Sequence, residues 1–361
     1  MTTSRFRYIQ SVAAGGFKNM AVDEILLDEC RRGAIDGVLR VYQWAPPAVS
    51  LGHGQSTDLL DLRACEKLGI DVVRRITGGG AILHWEEITY CLVLGRETLP
   101  VLKWPRQFAR LMGVALCEAL SSLGVDASLS PGETRATLED TRSSRGTRSS
   151  LSLGEALRTP EDARSCHGTG SFHGAQSSLC FSSGAENEVV VGERKLAGCA
   201  HKFTREAFFS HGSIMTGYAH LRIVDLVRPE VGSITMSALG ERSVCLSDLL
   251  QTVPSIETVG HELRKGIENS FGVLLEEGRL SDREEELAGE RALTKRNDME
   301  ASRGIGGTRS NGSESGRDTD TDTDRSNGRG KGIGRDRDRG RGSSRDMGRD
   351  SGIVTPPRVS G

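Results

Sequence analysis

The sequence predicts a single α+β domain. Its strand-like segments come in runs, with amphipathic helices added before and after them, not in strict strand–helix alternation. Two compositionally biased stretches, once set aside, leave roughly 250 residues, the size of one large domain. The expected layout is a domain over residues 1–300 with a low-complexity insert at about 131–178, followed by a disordered Arg/Gly/Asp-rich tail at 301–361.

The elements follow in order. "GGFKNMAVDEILLDECRRG" reads as a loop ending near Asn19, which caps a helix whose apolar stripe runs through Met20, Ile25 to Leu27 and Cys30. "GVLRVYQW" alternates as a strand, and Pro46 and Pro47 break it. In "TDLLDLRACEKLG", Thr57 is the expected cap and Gly69 the stop, with Leu59, Leu62, Cys65 and Leu68 on one face. Two strands, one into "RRITGGGAILH" and then "ITYCLVLG", precede a helix from about Trp104 to Leu123. Beyond the insert, "ENEVVVGERKLAGCAHKFTREAFFSHGSIM" reads as consecutive strands with a turn at Gly192-Glu193. Two amphipathic helices close the domain, "SIETVGHELRKGIENSFG" and "SDREEELAGERALTKR".

Composition narrows the function. The net charge of −2 over 361 residues argues against bulk electrostatic binding of polyanions. The tail carries "RGRG" pieces, but its arginines alternate with aspartates and it lacks aromatic residues for base stacking, so nucleic acid is not the expected partner. Such a tail buries too little apolar surface to offset its ordering entropy. The eight cysteines are dispersed with no CxxC pair, which argues against a zinc site and for a reducing, cytoplasmic setting. No apolar run approaches the length of a membrane span, so no membrane partner is expected.

Three consecutive glycines, Gly78, Gly79 and Gly80, stand between Arg74-Arg75 and His84. Such a cluster in strand context is either a tight hairpin turn or a place where another molecule meets bare backbone. Alternation along the strand lets at most one of Arg74 and Arg75 face a pocket.

Five segments together resemble the lipoate–protein ligase and octanoyltransferase superfamily: "NMAVDEILL", "LRVYQWAPPAVSLGHGQ", "VVRRITGGGAILHWEEITYCLVL", "ERKLAGCAHKF" and "SHGSIM". The resemblance implies one cofactor-transferase domain with a curved, mainly antiparallel sheet flanked by helices and an acyl chain beside the glycine segment. It implies substrate contacts from Arg74, Arg75, Thr77, Gly78, Gly79, Gly80, His84 and Gly198.

That superfamily contains ATP-dependent ligases, which activate a free acid, and transferases, which accept an acyl group already activated as a thioester. Cys180-Phe181, Glu188 and Lys195 resemble the cysteine-dependent transferases of the M and L types, and Cys180 lies 15 positions before Lys195. The resemblance then assigns Cys180 as nucleophile and Lys195 as the cation that activates the thiol and stabilises the oxyanion. Cys199 is a rival nucleophile, standing where the family usually has Ser; His201 stands where it often has Gln, and Trp85 replaces the common Asp after His84. The implied donor is acyl-carrier protein. The implied acceptors are lipoyl-domain proteins such as glycine-cleavage H protein or dehydrogenase E2 subunits, with no cofactor. An octanoylated H protein is a second possible donor. ATP and Mg enter only if the chain is a ligase, and a non-catalytic lipoyl-domain binder is the third alternative.

Overall fold

The structure, a computed structural model, describes residues 6–99, 102, 104–130, 179–180, 187–231 and 234–305. All of them belong to one compact unit, Met1–Arg309. The expected insert, the expected tail and Phe181 lie outside the described residues, except that the last helix runs on to Ile305.

Two sheets organise the described chain. The larger has the strand order β11-β1-β2-β6-β10-β9-β8-β7, built from β1 (Phe6–Gln10), β2 (Gly37–Tyr42), β6 (Glu87–Gly95), β7 (Ser128–Leu129), β8 (Val189–Val191), β9 (Arg194–Phe203), β10 (Ala207–Met215) and β11 (Glu276–Glu277). Its pairings are antiparallel except β1 with β2 and with β11. The smaller has the order β4-β3-β5, from β3 (Ala48–Leu51), β4 (Asp71–Arg74) and β5 (Ile82–His84). This is the expected α+β architecture.

Helices cover both faces of the large sheet. Alternation along β2, β6 and β10 divides its side chains between two cores. Leu39, Val41, Tyr90, Leu92 and Phe208 meet Phe108 of α3 (Pro105–Ser122) and Leu263 and Ile267 of α6 (Ile256–Phe271). Val38, Tyr42, Cys91, Val93 and Phe209 meet Ile25 and Leu26 of α1 (Gly16–Arg31) and Ala288 of α7 (Asp282–Ile305). Covered on both faces, β2 and β6 are buried along their whole length. Three short α-helices also lie among the described residues: α2 (Leu62–Lys67), α4 (Met236–Arg242) and α5 (Leu246–Leu249). No helix among the described residues is long and apolar enough to cross a membrane.

Helix ends show where local signals held and where packing replaced them. Ser255 caps α6 by accepting from the Thr258 amide, and Gly272, at φ 66°, ends it. Asn19 does not cap α1: the helix starts three residues earlier, after Gly15, because Asn19 is buried and its amide donates to the Ala14 and Gln43 carbonyls. Thr57 is likewise displaced as a cap. Ser56 caps a short 3₁₀ turn at Thr57–Leu59, and Asp61 caps α2 by accepting from Arg63 and Ala64.

The glycine segment is not a hairpin turn. β4 and β5 do not pair with each other; each pairs with β3, parallel for β4 and antiparallel for β5. Residues 75–81 therefore cross one end of β3, and Gly79 adopts φ 92°, a conformation open chiefly to glycine.

Candidate active site

Cys180 is brought to the glycine segment by main-chain pairing. Leu179 bridges Ala81 in parallel, and the Cys180 amide donates to the Ala81 carbonyl at 2.8 Å. Gly80 permits this approach, since a Cβ there would lie 2.5 Å from Leu179 C and 2.6 Å from Cys180 N. The bare backbone at Gly80 thus seats the chain's own cysteine strand, where sequence reasoning had placed a ligand. A Cβ on Gly78, by contrast, would meet nothing within 4 Å.

From the other side comes β9. Lys195 is buried, and its Nζ donates to Cys180 Sγ at 3.7 Å and forms an ion pair with Glu188. Burial pushes the Lys195 pKa down, but the charges of Cys180 and Glu188 outweigh it and hold the ammonium above its ordinary value. Gly198 makes room: a Cβ there would sit 2.9 Å from Lys195 Cε and 3.8 Å from Cys180 Sγ. Three predicted residues (Cys180, Lys195 and Gly198) therefore meet at one point.

Both arginines of the pair are spent on main-chain carbonyls. Arg75 is buried and donates to Ser50 O at 2.9 Å, Gly78 O at 2.7 Å and Gly80 O at 2.8 Å. Burial lowers its pKa to about 10, against the raising effect of Cys180 charge. Arg74 donates to the carbonyls of Gly52, at 3.0 Å, His53 and Gln55. The first fixes the glycine segment from within, the second ties down the loop after β3.

Thr77 faces inward. Its hydroxyl lies 2.7 Å from His211 Nε2, and His211 Nδ1 lies 3.6 Å from Asp23 Oδ2. Asp23 also accepts from Arg40 Nη1 at 2.7 Å and from the Tyr42 hydroxyl at 2.8 Å, while Arg40 Nη2 donates to Asn19 Oδ1 at 2.8 Å. Burial would raise the Asp23 pKa, but hydrogen bonding to His211 and the Arg40 charge bring it below the ordinary value. Burial, opposed by hydrogen bonding and charge from Asp23, holds the His211 pKa below its ordinary value. His84 belongs to a second buried network. Its nitrogens lie 2.8 Å from Glu87 Oε1 and 2.7 Å from Ser50 Oγ, its ring stacks on Trp44 at 3.9 Å, and Ser213 Oγ donates to Glu87 at 2.6 Å.

Sequence reasoning gave no role to Asp23, Arg40, Tyr42 or Glu87, although all lie in the segments that carry the family resemblance. A buried charge in an apolar run was the available signal, since such groups are buried only when paired. Cys199 pairs with Gly212 across β9–β10, and its Sγ accepts from the Tyr90 hydroxyl at 2.8 Å, beside the apolar core. Burial pushes its thiol up to about 11. Among the described residues, no group of three or more His, Cys, Asp or Glu is placed to hold a metal ion.

A partly buried cysteine thiol and a buried ammonium meet against the glycine-rich segment. Comparisons with known proteins specify the class. Residues 16–268 match the model of the lipoyl protein ligase A/B catalytic domain. Octanoyltransferase LipM of Symbiobacterium thermophilum is 30% identical over 291 residues, covering 79% of this chain and 93% of that protein. Octanoyltransferase LipM of Geobacillus kaustophilus is 27% identical over 296 residues, covering 80% and 95%. A solved bipartite lipoate protein ligase with its E2 lipoyl domain, from Thermoplasma acidophilum, superposes with a TM-score of 0.57 at 20% identity, over 80% of this chain and 92% of that one. The chain belongs to the lipoyl protein ligase A/B catalytic domain family. It is an enzyme, an acyltransferase related to the octanoyltransferases of protein lipoylation.

Proposed function

We propose that this protein transfers an octanoyl group from an acyl-carrier-protein thioester to a lysine of a lipoyl-domain protein through a thioester on Cys180. The observation that carries the proposal is the placement of Lys195 Nζ 3.7 Å from Cys180 Sγ at the edge of the glycine segment. A thioester donor is already activated, so the reaction needs a nucleophile and a site for the oxyanion but no adenylation. The Cys180 thiolate attacks the acyl carbonyl, and the carrier's sulfur leaves. The neutral amine of the acceptor lysine then attacks the Cys180 thioester, and Cys180 leaves as thiolate. Each step passes through a tetrahedral oxyanion, for which Lys195 Nζ and the glycine-segment amides are the proposed donors.

Within this reading Arg75 and Thr77 act on substrate indirectly, by holding Gly78 to Gly80 in place, and His84 braces β5 from behind. The acceptor class rests on the relatives' role in lipoylation; glycine-cleavage H protein and dehydrogenase E2 subunits are its candidates. The proposed setting is the cytoplasm, and the proposed route uses no cofactor. The test is transfer from octanoyl-acyl-carrier protein to a purified lipoyl domain without nucleotide. Transfer without ATP supports the proposal. Labelling of the lipoyl domain only from free acid with ATP and Mg overturns it in favour of a ligase. Faster transfer from octanoylated H protein than from acyl-carrier protein replaces the donor and keeps the chemistry.

A further inference from the structure

The segment from 187 to 195 is a hairpin, and its irregularity sets the geometry of the thiol's neighbours. β8 and β9 pair Val190 with Lys195 but Val189 with Ala197, so Leu196 is an extra residue on β9. Such a bulge re-aims the side chains on either side of it. Ala197 and Cys199 point into the apolar core, whereas the Lys195 stem passes over Gly198 toward Cys180. The same hairpin returns Glu188 to Lys195, where the two form a largely buried ion pair. The main chain of Glu188 is fixed against β7's end: the Ser130 amide donates to its carbonyl at 2.8 Å, and its own amide donates to Ser130 Oγ at 3.2 Å.

We propose that Glu188 is a positioning residue, which holds Lys195 as a fixed ammonium aimed at Cys180 through both acyl transfers. The inference rests on the reading of Cys180 as the acyl carrier. A lysine has a flexible stem and three rotatable donors, so one contact leaves its direction open. Two anchors, a carboxylate and the sulfur, fix it. Burying the cation without a partner would favour its neutral form, which could stabilise neither thiolate nor oxyanion. The titratable groups that act on Lys195 are Cys180 on the segment after the insert, Glu188 ahead of β8 and Cys199 on β9; Arg75 interacts with Cys180 from the glycine segment.

The proton balance agrees. In acylation the S–C bond to Cys180 forms, the donor's S–C bond breaks, and the carrier's thiolate takes a proton from solvent. In transfer the C–N bond forms, the bond to Cys180 breaks, and the proton lost by the attacking amine leaves for solvent or for the departing thiolate. Lys195 keeps its proton throughout.

The test is single-turnover acylation of Cys180, and onward transfer, measured across neutral and alkaline pH for wild type, Glu188→Gln and Glu188→Asp. In Glu188→Gln both steps slow about 10-fold or more, and the alkaline fall in rate moves to lower pH, since one pKa unit is a tenfold change in protonation. Glu188→Asp restores most of the rate, with the alkaline fall displaced part of the way. A wild-type alkaline limb in Glu188→Gln overturns the proposal, however slow that variant is, because a purely structural role changes rate without moving the limb. If Glu188→Gln does not fold, Glu188→Asp decides by the same criterion. A wild-type protein that forms no Cys180 adduct would instead refute the acyl-enzyme reading itself.

Discussion

Two regions meet at the glycine segment, and they are built on opposite principles. Behind it lies a frame in which Thr77, His211, Asp23, Arg40 and Tyr42 join β10, α1 and β2, each buried and hydrogen-bonded. In front lies the corner of Cys180, Lys195 and Glu188, drawn from a two-residue pairing and one bulged hairpin, with Cys180 only partly buried. The frame holds charges because they are matched in place; the corner holds one cation aimed at the sulfur of the proposed nucleophile. The lesson is a division of labour. A frame of this kind suits any enzyme that needs a rigid glycine segment beside an acyl group, whereas the proposed covalent transfer rests on the corner alone.

Breaking the frame gives the largest expected effect. Asp23→Ala leaves the Arg40 guanidinium, 1% exposed, without its carboxylate. Removing one partner of a buried ion pair costs about 3–5 kcal/mol, so the melting temperature should fall sharply and activity with it. An Asp23→Ala protein that melts like wild type would show that the frame contributes little.

Next comes the corner itself. Lys195→Ala should keep the fold but slow both acylation and transfer by about 10²–10³, the loss expected for one oxyanion donor. Lys195→Arg should be almost as poor, because a planar guanidinium does not fit the place of an ammonium. Near-wild-type single-turnover rates in Lys195→Ala would leave the glycine-segment amides as the only donors. Gly198→Ala is a gentler probe of the same point. Its Cβ would lie 2.9 Å from Lys195 Cε, displacing the ammonium, and misplacement by an ångström can cost about 10²-fold. The melt should change little while the rate drops; an unchanged rate would show that the Lys195 stem yields.

The smallest effect separates the regions by pH. Asp23 sits below its ordinary value when folded, so its contribution is present above the unfolded carboxylate value and is lost as pH falls through the lower folded one. Lys195 sits above its ordinary value, so its contribution is present below the unfolded lysine value and is lost as pH rises through the higher folded one. Thermal melts across pH should therefore lose acid sensitivity in Asp23→Asn and alkaline sensitivity in Lys195→Met. The reverse assignment would contradict the comparison.

How legible each region was follows from how local its signals are. Helix α3 and the turn at Gly192 announce themselves within a few residues, and the structure places them as the sequence predicts. Cys180 and Lys195 were legible as a spaced pair because one hairpin and a short segment bring them together. The frame was not, since Asp23 finds its partners on β2 and β10 only after the large sheet has closed. The role of Gly80 was hidden for the same reason: what fills its bare face is main chain from residues 179 and 180, about a hundred positions later. Asn19 misled because an Asn before an apolar stripe usually caps; here burial against Arg40 outweighed that preference.

The central claim is that Cys180 carries the acyl group, and intact-protein mass spectrometry tests it most directly. Wild type, Cys180→Ala and Cys199→Ala are each mixed with octanoyl-acyl-carrier protein in the absence of ATP. The expected result is one octanoyl adduct on wild type and on Cys199→Ala, mapped to Cys180, and none on Cys180→Ala. An adduct that persists in Cys180→Ala and disappears in Cys199→Ala would move the nucleophile to β9 and contradict the account.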